Sequence, residues 1–298
     1  MSPITNFPDG LSSWGMPVFG GGDLMGIAMG RGRGIINDTV ETKVIFVDSA
    51  VAAGGKADGS TWSDAYDTIQ EGVNAARYSS GTTIDYNDTR QCFVIVAPGN
   101  YAEQVAFSAK NVHLIGLGIP GTDNGVAIEP ASPSTYWFAF SGNGCEIANF
   151  AMNLDTAVYG MYLPPAESCW IHDNVLHGNG TGTYGMYFGG TGLKGTRVYN
   201  NIIDSFVTCG IYAATDATAY AIQGGIFRNI VGGTSVKGID IDITTCYAFM
   251  VWQNWVTGTS SASIECSSTG VLVADNWCDR APSGTLTARD NHYSSAGA

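Results

Sequence analysis

Ile171-His-Asp-Asn-Val-Leu176 is the first of five similar stretches that follow one another through the second half of the chain. The other four are Val198-Tyr-Asn-Asn-Ile-Ile203, Ile226-Phe-Arg-Asn-Ile-Val231, Val251-Trp-Gln-Asn-Trp-Val256 and Val273-Ala-Asp-Asn-Trp-Cys278. The copies return about every 25 residues, and an earlier stretch at Ile147 lacks the asparagine. A repeat of this length in a chain with 40 glycines indicates an architecture of stacked, similar coils.

A second strand pattern follows each copy at a nearly fixed distance. Its members are Gly160-Met-Tyr-Leu163, Gly185-Met-Tyr-Phe188, Gly210-Ile-Tyr-Ala213 and Gly238-Ile-Asp-Ile241. A coil with two or three short strands cannot bury its own apolar side, so each coil must stack on the next at about 4.8 Å. The sequence therefore predicts an all-β fold, a right-handed parallel β-helix.

The asparagine that recurs in the repeat is predicted to point inward at a turn. There its side-chain amide can hydrogen-bond to the equivalent amides in the coils above and below. We therefore expect a structural ladder that stabilises the stack, made of Asn174, Asn201, Asn229, Asn254 and Asn276.

The rest of the chain divides into an arm and a capping region. Residues 1–42 lack periodicity and are rich in glycine, which is typical of a disordered tail. Their apolar residues favour instead an extended arm that docks on another protein through Phe7, Trp14, Met16, Phe19 and Leu24. Residues 43–298 form the β-helix, with a capping region at 43–118 and repeated coils at 119–298. Apolar residues at steps of three and four after Ser63 predict a capping α-helix over about 63–78.

The capping region and the repeat together resemble the pectin-lyase-like superfamily of β-helix proteins. The resemblance starts at Val44-Ile-Phe-Val-Asp48 and continues through the predicted helix to Val94-Ile-Val-Ala-Pro-Gly-Asn-Tyr101. The amino-terminal stretch from Pro3 to Val18, with Gly20-Gly-Gly22 after it, is similar to the leaders of virion proteins of tailed bacteriophages. Because this superfamily holds both enzymes and virion proteins without known chemistry, the fold alone leaves the function open.

Composition argues against several classes of function. The net charge of −13 disfavours nucleic acid as a partner. The seven cysteines show neither a CxxC motif nor a Cys/His cluster, so we expect buried, reduced thiols and no metal or other cofactor. No apolar stretch reaches the roughly 18 residues of a membrane span, and the first residues lack the pattern of a secretory signal. We expect a protein made in the host cytoplasm that has no membrane partner.

A catalytic site is not evident in the sequence. The resemblance implies clustered carboxylates for a lyase or a hydrolase of this superfamily, but the positions before the ladder asparagines alternate between Asp, Asn, Arg and Gln. Two weak alternatives remain, and a structural role is the simpler interpretation of both. One is an acidic patch of Asp240, Asp242 and Glu265, and the other is a surface group of His172, Asp173, His177 and Arg197.

The residues after the inward positions are expected to form outward aromatic columns. One column is His172, Tyr199, Phe227 and Trp252, beside Trp170, and a second on the other strand is Tyr162, Tyr187 and Tyr212. Such ladders exceed the apolar patch of an ordinary monomer. They could be shielded by loops, form a trimer interface, or offer platforms for sugar rings.

These observations predict a structural virion protein of a bacteriophage, without enzymatic activity. In this hypothesis a homotrimer decorates the virion surface, attached to a capsid or tail protein through residues 1–42. The alternative is a tailspike that binds or depolymerises a host surface polysaccharide.

Overall fold

The computed structural model describes residues 11–13, 16–18, 42–51, 57–76, 91–129, 135–153, 158–164, 166–189, 193–214, 220–234, 236–243 and 245–293. For residues 11–13, 16–18, 42, 107 and 220–222, the backbone alone is described. The predicted anchoring residues Phe7, Trp14, Phe19 and Leu24 lie outside the described residues, and Met16 is described by its backbone only.

The described chain is mostly β-structure and is built on three long parallel sheets of ten, nine and nine strands. Sheet I contains Thr42–Val47, Gln91–Val96, Val112–Gly116, Glu146–Ala148, Trp170–His172, Arg197–Tyr199, Gly225–Phe227, Phe249–Trp252, Val271–Ala274 and Thr287–Arg289. Sheet II contains Gly99–Tyr101, Val126–Ile128, Phe150–Asn153, Val175–His177, Ile202–Asp204, Ile230–Gly232, Trp255–Val256, Trp277–Cys278 and His292–Tyr293. Sheet III contains Val105–Lys110, Tyr136–Asn143, Tyr159–Tyr162, Ala166–Glu167, Tyr184–Phe188, Cys209–Ala213, Lys237–Ile241, Ala262–Cys266 and Ser283–Gly284.

The chain visits the three sheets in turn, and from Trp170 to Gly284 each circuit adds one strand to each sheet. One circuit runs through Trp170–His172, Val175–His177 and Tyr184–Phe188, and the next begins at Arg197–Tyr199. Equivalent residues of neighbouring circuits pair in parallel register, as Ile171 does with Val198. The repeat read from the sequence is therefore the repeat of the structure.

Inward side chains of all three sheets form one continuous apolar core. Ile171, Ile226 and Val251 are completely buried there, as are Phe138 and Phe150. All seven cysteines are free and buried, as the sequence predicts. The outer faces of the sheets carry side chains that can contact other molecules.

A sharp corner joins sheet I to sheet II in each circuit. The residue at this corner has a positive φ, between 49° and 66°, in seven successive circuits. The seven residues are Asn149, Asp173, Asn200, Arg228, Gln253, Asp275 and Asp290. Asn and Asp tolerate this left-handed conformation best among residues with a side chain, which accounts for most of these positions.

The predicted helix over 63–78 is wrong in its bounds. The structure has a 3-10 turn at Trp62–Asp64 and an α-helix at Ile69–Ala75, whose N-cap is Thr68 rather than Ser63. Tyr66 instead donates its backbone N–H to the carbonyl of Phe46 at 3.0 Å and so extends sheet I. Pairing with the sheet overrides the helical periodicity of this segment.

The short helix packs on the first strands of the stack. Its Ile69 and Val73 are fully buried in the common core. Gly72 faces sheet I so closely that a Cβ at this position would lie 2.4 Å from a methyl group of Val47. Glycine is therefore required where the helix meets the sheet.

Two short strand pairs lie outside the three sheets. Leu11–Ser13 pairs antiparallel with Met16–Val18. Tyr220–Ile222 pairs parallel with Thr245–Tyr247.

Candidate functional site

The predicted asparagine ladder is present at the corner between sheets I and II. Each Asn side-chain oxygen accepts hydrogen bonds from the backbone N–H and the side-chain amide of the preceding Asn, at 2.8 to 3.1 Å. Phe150, which replaces the first Asn, donates its backbone N–H to Asn174 at 3.1 Å. Asn291 extends the ladder by one member, which the 25-residue period misses because it follows Asn276 by only 15 positions. The ladder satisfies buried polar groups and has no exposed chemistry.

The first outward column is a continuous stack of aromatic rings on sheet I. The ring centroids of His172 and Tyr199 are 4.6 Å apart, those of Tyr199 and Phe227 5.0 Å, and those of Phe227 and Trp252 4.2 Å. Tyr199 and Phe227 therefore have both faces covered by neighbouring rings. This arrangement does not fit the hypothesis that their faces serve as platforms for sugar rings.

His172 is also not available to a partner, because only 3% of its surface is exposed. Its Nδ1 lies 2.7 Å from Asp173 Oδ2, and its Nε2 lies 2.8 Å from Glu146 Oε1. The other carboxylate oxygen of Glu146, Oε2, lies 2.8 Å from Nδ1 of His113. The predicted surface group is thus split, since His177 pairs separately with Asp204 at 2.8 Å.

The charges of this buried cluster are strongly coupled. Burial opposes the charged form of His172, but hydrogen bonds to Asp173 and Glu146 outweigh burial and raise the pKa of His172 to about 9. Burial likewise opposes the carboxylate of Glu146, but hydrogen bonds from His113 and His172 lower the pKa of Glu146 to about 2. Both groups are charged at neutral pH, so the cluster ties neighbouring circuits of sheet I together as an ion pair. A histidine held in this form is a poor general base.

The second outward column belongs to a larger tyrosine cluster on sheet III. Along the sheet, the ring centroids of Tyr162 and Tyr187 are 5.7 Å apart, and those of Tyr187 and Tyr212 are 5.4 Å apart. Tyr136, Tyr159 and Tyr184, which the sequence analysis missed, stand beside them, and Tyr159 lies 4.7 Å from Tyr187. Tyr159 and Tyr162 both face outward although they are three positions apart. The strand Tyr159–Tyr162 therefore departs from the two-residue alternation at Gly160.

The tyrosine cluster ends at a group of two acids and one lysine. Asp240 follows Tyr212 in register on the next strand, and Glu265 follows Asp240. The Nζ of Lys237 lies 2.8 Å from Asp240 Oδ2 and 3.1 Å from Glu265 Oε1. The structure thus brings together Asp240 and Glu265 of the predicted acidic patch.

Asp240 is the unusual member of this group. It is 7% exposed, and within the described part of the chain its Oδ1 makes no hydrogen bond. Burial raises the pKa of Asp240 above its ordinary value, although Lys237 acts in the opposite direction. Two carboxyl groups on adjacent strands, one of them with a raised pKa, are the groups that glycoside hydrolysis uses.

A third surface, which the sequence analysis did not identify, is an apolar ridge on sheet II. Ile202, Ile230, Trp255 and Trp277 pair in register on four consecutive strands. They are 43%, 51%, 53% and 56% exposed, so this ridge is more open than the aromatic stack of sheet I. On sheet I, Trp170 is 44% exposed, whereas Tyr199, Phe227 and Trp252 are only partly exposed.

The described residues support neither a metal site nor a membrane-spanning helix. Among them, no group of three or more His, Cys, Asp or Glu side chains could hold a metal ion. No helix in the described part of the chain is long and apolar enough to cross a membrane.

Comparison with known proteins leaves the family open. No family model, no curated protein and no solved structure matches this chain.

Proposed function

We propose that the three parallel sheets form a right-handed parallel β-helix of the pectin-lyase-like type. The support is the circuit from sheet I to sheet II to sheet III, repeated in register through the described residues. A connection between parallel strands of one sheet is right-handed in nearly all known cases. In this proposal residues 43–118 form the capping region, residues 119–298 form the repeated coils, and residues 1–42 form a separate arm.

We further propose that the chain is a structural protein on the surface of a bacteriophage virion, where three copies associate and the arm binds a capsid or tail protein. The observation that carries this proposal is the apolar ridge of Ile202, Ile230, Trp255 and Trp277. An exposed ridge on an acidic chain favours a binding surface over a freely solvated one. The likeness of the amino-terminal stretch to virion leaders supports the location.

Peptide mass spectrometry of purified particles of the phage that encodes the chain tests this proposal. We expect the chain in particles that have been banded by density and washed in high salt. The triple variant Phe7→Ser, Trp14→Ser and Phe19→Ser should be made in normal amount but lost from particles. The matched control Tyr247→Ser, at a side chain that is 61% exposed outside the arm, should remain attached. Particles that lack the wild-type chain would contradict the proposal.

The second candidate function is binding or cleavage of a host surface polysaccharide. The tyrosine cluster favours it, because the cluster ends beside the carboxyl pair of Asp240 and Glu265. The charges of Lys237, Asp240 and Glu265 sum to −1, which favours a neutral polysaccharide over an acidic one.

Release of reducing ends from host surface polysaccharide distinguishes the two functions. If the chain is a hydrolase, Asp240→Asn and Glu265→Gln should each abolish release while the melting temperature stays within a few degrees. The matched control Asp279→Asn changes a carboxylate outside the cluster, bound to Thr259 and Ser263, and should leave release intact. Wild-type protein without any release would reject the enzymatic candidate.

A further inference from the structure

The tyrosine cluster of sheet III places six phenol rings in two rows on the outer face of the sheet. Its members are Tyr136, Tyr159, Tyr162, Tyr184, Tyr187 and Tyr212, and each is partly exposed to solvent. The ring centroids of neighbouring members lie 4.7 to 6.2 Å apart. These distances fall within the range of about 4.5 to 7 Å over which aromatic rings interact. The cluster is therefore a set of phenols in mutual contact that small reagents in water can reach.

Tyr187 is the centre of this cluster. Its ring centroid lies 4.7 Å from that of Tyr159, 5.4 Å from that of Tyr184 and 5.4 Å from that of Tyr212. The ring planes of these three pairs are inclined at 54°, 72° and 59°. The rings of Tyr162 and Tyr187 are instead stacked, with planes inclined at 29°.

The inclination of the rings decides which pairs can be joined by a covalent bond. A carbon–carbon bond between two aromatic rings lies in the planes of both rings, so an inclined pair is nearer to the bonded arrangement than a face-to-face stack. Tyr159 and Tyr187 are inclined and have the shortest centroid distance in the cluster. They are therefore the pair best placed for a bond.

Oxidation is the reaction that joins two phenols. A one-electron oxidant removes one electron from each phenol, and each hydroxyl proton leaves to water. The two phenoxyl radicals combine through a carbon ortho to each oxygen, and the two ring hydrogens then move to the oxygens and restore both phenols. With hydrogen peroxide as the oxidant, acting through a haem peroxidase, two tyrosines and one peroxide give one dityrosine and two molecules of water.

The fold determines which parts of the chain such a bond connects. Tyr159 pairs in register with Tyr184 on the next strand, and Tyr187 lies three positions further along that strand. A bond from Tyr159 to Tyr187 therefore joins one circuit to the next. The two residues are 28 positions apart in the chain. A bond that closes a loop of this length restricts the unfolded chain and so stabilises the folded one.

The two most exposed tyrosines of the described chain lie outside the cluster. Tyr247 and Tyr293 are 61% and 57% exposed. Within the described part of the chain, neither ring is in contact with another tyrosine. Tyr199 is stacked between His172 and Phe227, neither of which is a phenol. Proximity, and not exposure, distinguishes the cluster from these positions.

We propose that the tyrosine cluster is a site of oxidative cross-linking, where peroxide chemistry joins Tyr159 to Tyr187 and so fastens neighbouring circuits of the stack covalently. The bond forms between side chains that are already in contact, so it leaves the fold unchanged. This inference goes beyond both proposed functions and depends on neither of them.

Treatment of the purified full chain with a haem peroxidase and hydrogen peroxide tests the inference. Chains that keep the single mass of 31.3 kDa under denaturing conditions are isolated, which excludes bonds between copies. Cleavage after Glu167 separates Tyr159 from Tyr187, so the bond appears as two joined peptides that lack two hydrogen atoms. We expect joined peptides in the same yield at every protein concentration, and a melting temperature about 5 °C above that of the untreated chain.

Phenylalanine variants keep the ring but cannot form a phenoxyl radical. Tyr187→Phe should therefore lose most of the joined peptides, and Tyr159→Phe provides the same test if the first variant loses its β-spectrum in circular dichroism. The matched control Tyr247→Phe removes a more exposed phenol outside the cluster and should keep the full yield. A wild type without joined peptides overturns the inference, as does a folded Tyr187→Phe or Tyr159→Phe variant that keeps the full yield.

Discussion

Replacement of Asn229 by leucine is the change whose effect on the free energy of unfolding follows most directly from the structure. Asn229 is 1% exposed and lies in the middle of the ladder. Its side-chain oxygen accepts the backbone N–H of Asn201 at 3.0 Å and the side-chain amide of Asn201 at 2.9 Å. Its own amide donates to the carbonyls of Val198 and Phe227.

Leucine has the same branched shape, is larger, and carries none of these groups. Two buried donors of Asn201 would lose their acceptor, and each such loss costs about 1 to 3 kcal/mol. The carbonyls of Val198 and Phe227 lose a donor as well. We therefore expect Asn229→Leu to lower the free energy of unfolding by about 4 kcal/mol, which is a large part of the stability of an ordinary domain.

Urea unfolding monitored by circular dichroism measures this change directly. The control Asn153→Leu makes the same exchange at an exposed asparagine of sheet II and should change the free energy by less than about 0.5 kcal/mol. If the two variants unfold at the same urea concentration as the wild type, the ladder does not stabilise the stack.

Three further predictions concern the buried cluster, the aromatic stack and the capping helix. The pKa of His172 is raised to about 9, so the contribution of His172 to stability is complete below pH 6.5 and disappears as the pH rises through 9. The variant His172→Phe keeps the stack and should make the melting temperature less dependent on pH between 6.5 and 9. Phe227→Ala removes two ring contacts, at 5.0 and 4.2 Å, and should cost about 2 kcal/mol in urea unfolding, against less than about 1 kcal/mol for Met250→Ala. Gly72→Ala would place a Cβ 2.4 Å from a Val47 methyl and should lower the melting temperature, although alanine favours helices; an increase would refute the close contact.

The inward half of the structure could be predicted because the repeat encodes it directly. Ile171, Val198 and Ile226 alternate with outward residues, and the asparagine appears in each copy. Parallel pairing in register follows once these copies are aligned.

The sequence analysis missed the apolar ridge although its residues belong to the same repeat, and the reason is physical. The corner residue with positive φ, such as Asp173, shifts the two-residue alternation by one. Ile171 and Asn174 consequently both point inward although they are three positions apart, and Val175 points outward. If the alternation is continued through the corner, the outward residues of sheet II are predicted to point inward.

Long-range contacts also decided two details that a local pattern could not predict. The helix is shorter than its apolar spacing indicates because the backbone of Tyr66 bonds to Phe46. The hydrogen bond of His172 to Glu146 joins two neighbouring circuits, where Glu146 pairs in register with Trp170. The repeat aligns the two strands but does not indicate which side chains bond between them.

Electron cryo-microscopy of the purified virion tests the account most directly. It should show three copies of the chain around a common axis, with residues 1–42 in contact with a capsid or tail protein. Single copies on the particle, or copies held to it by residues outside 1–42, would contradict it.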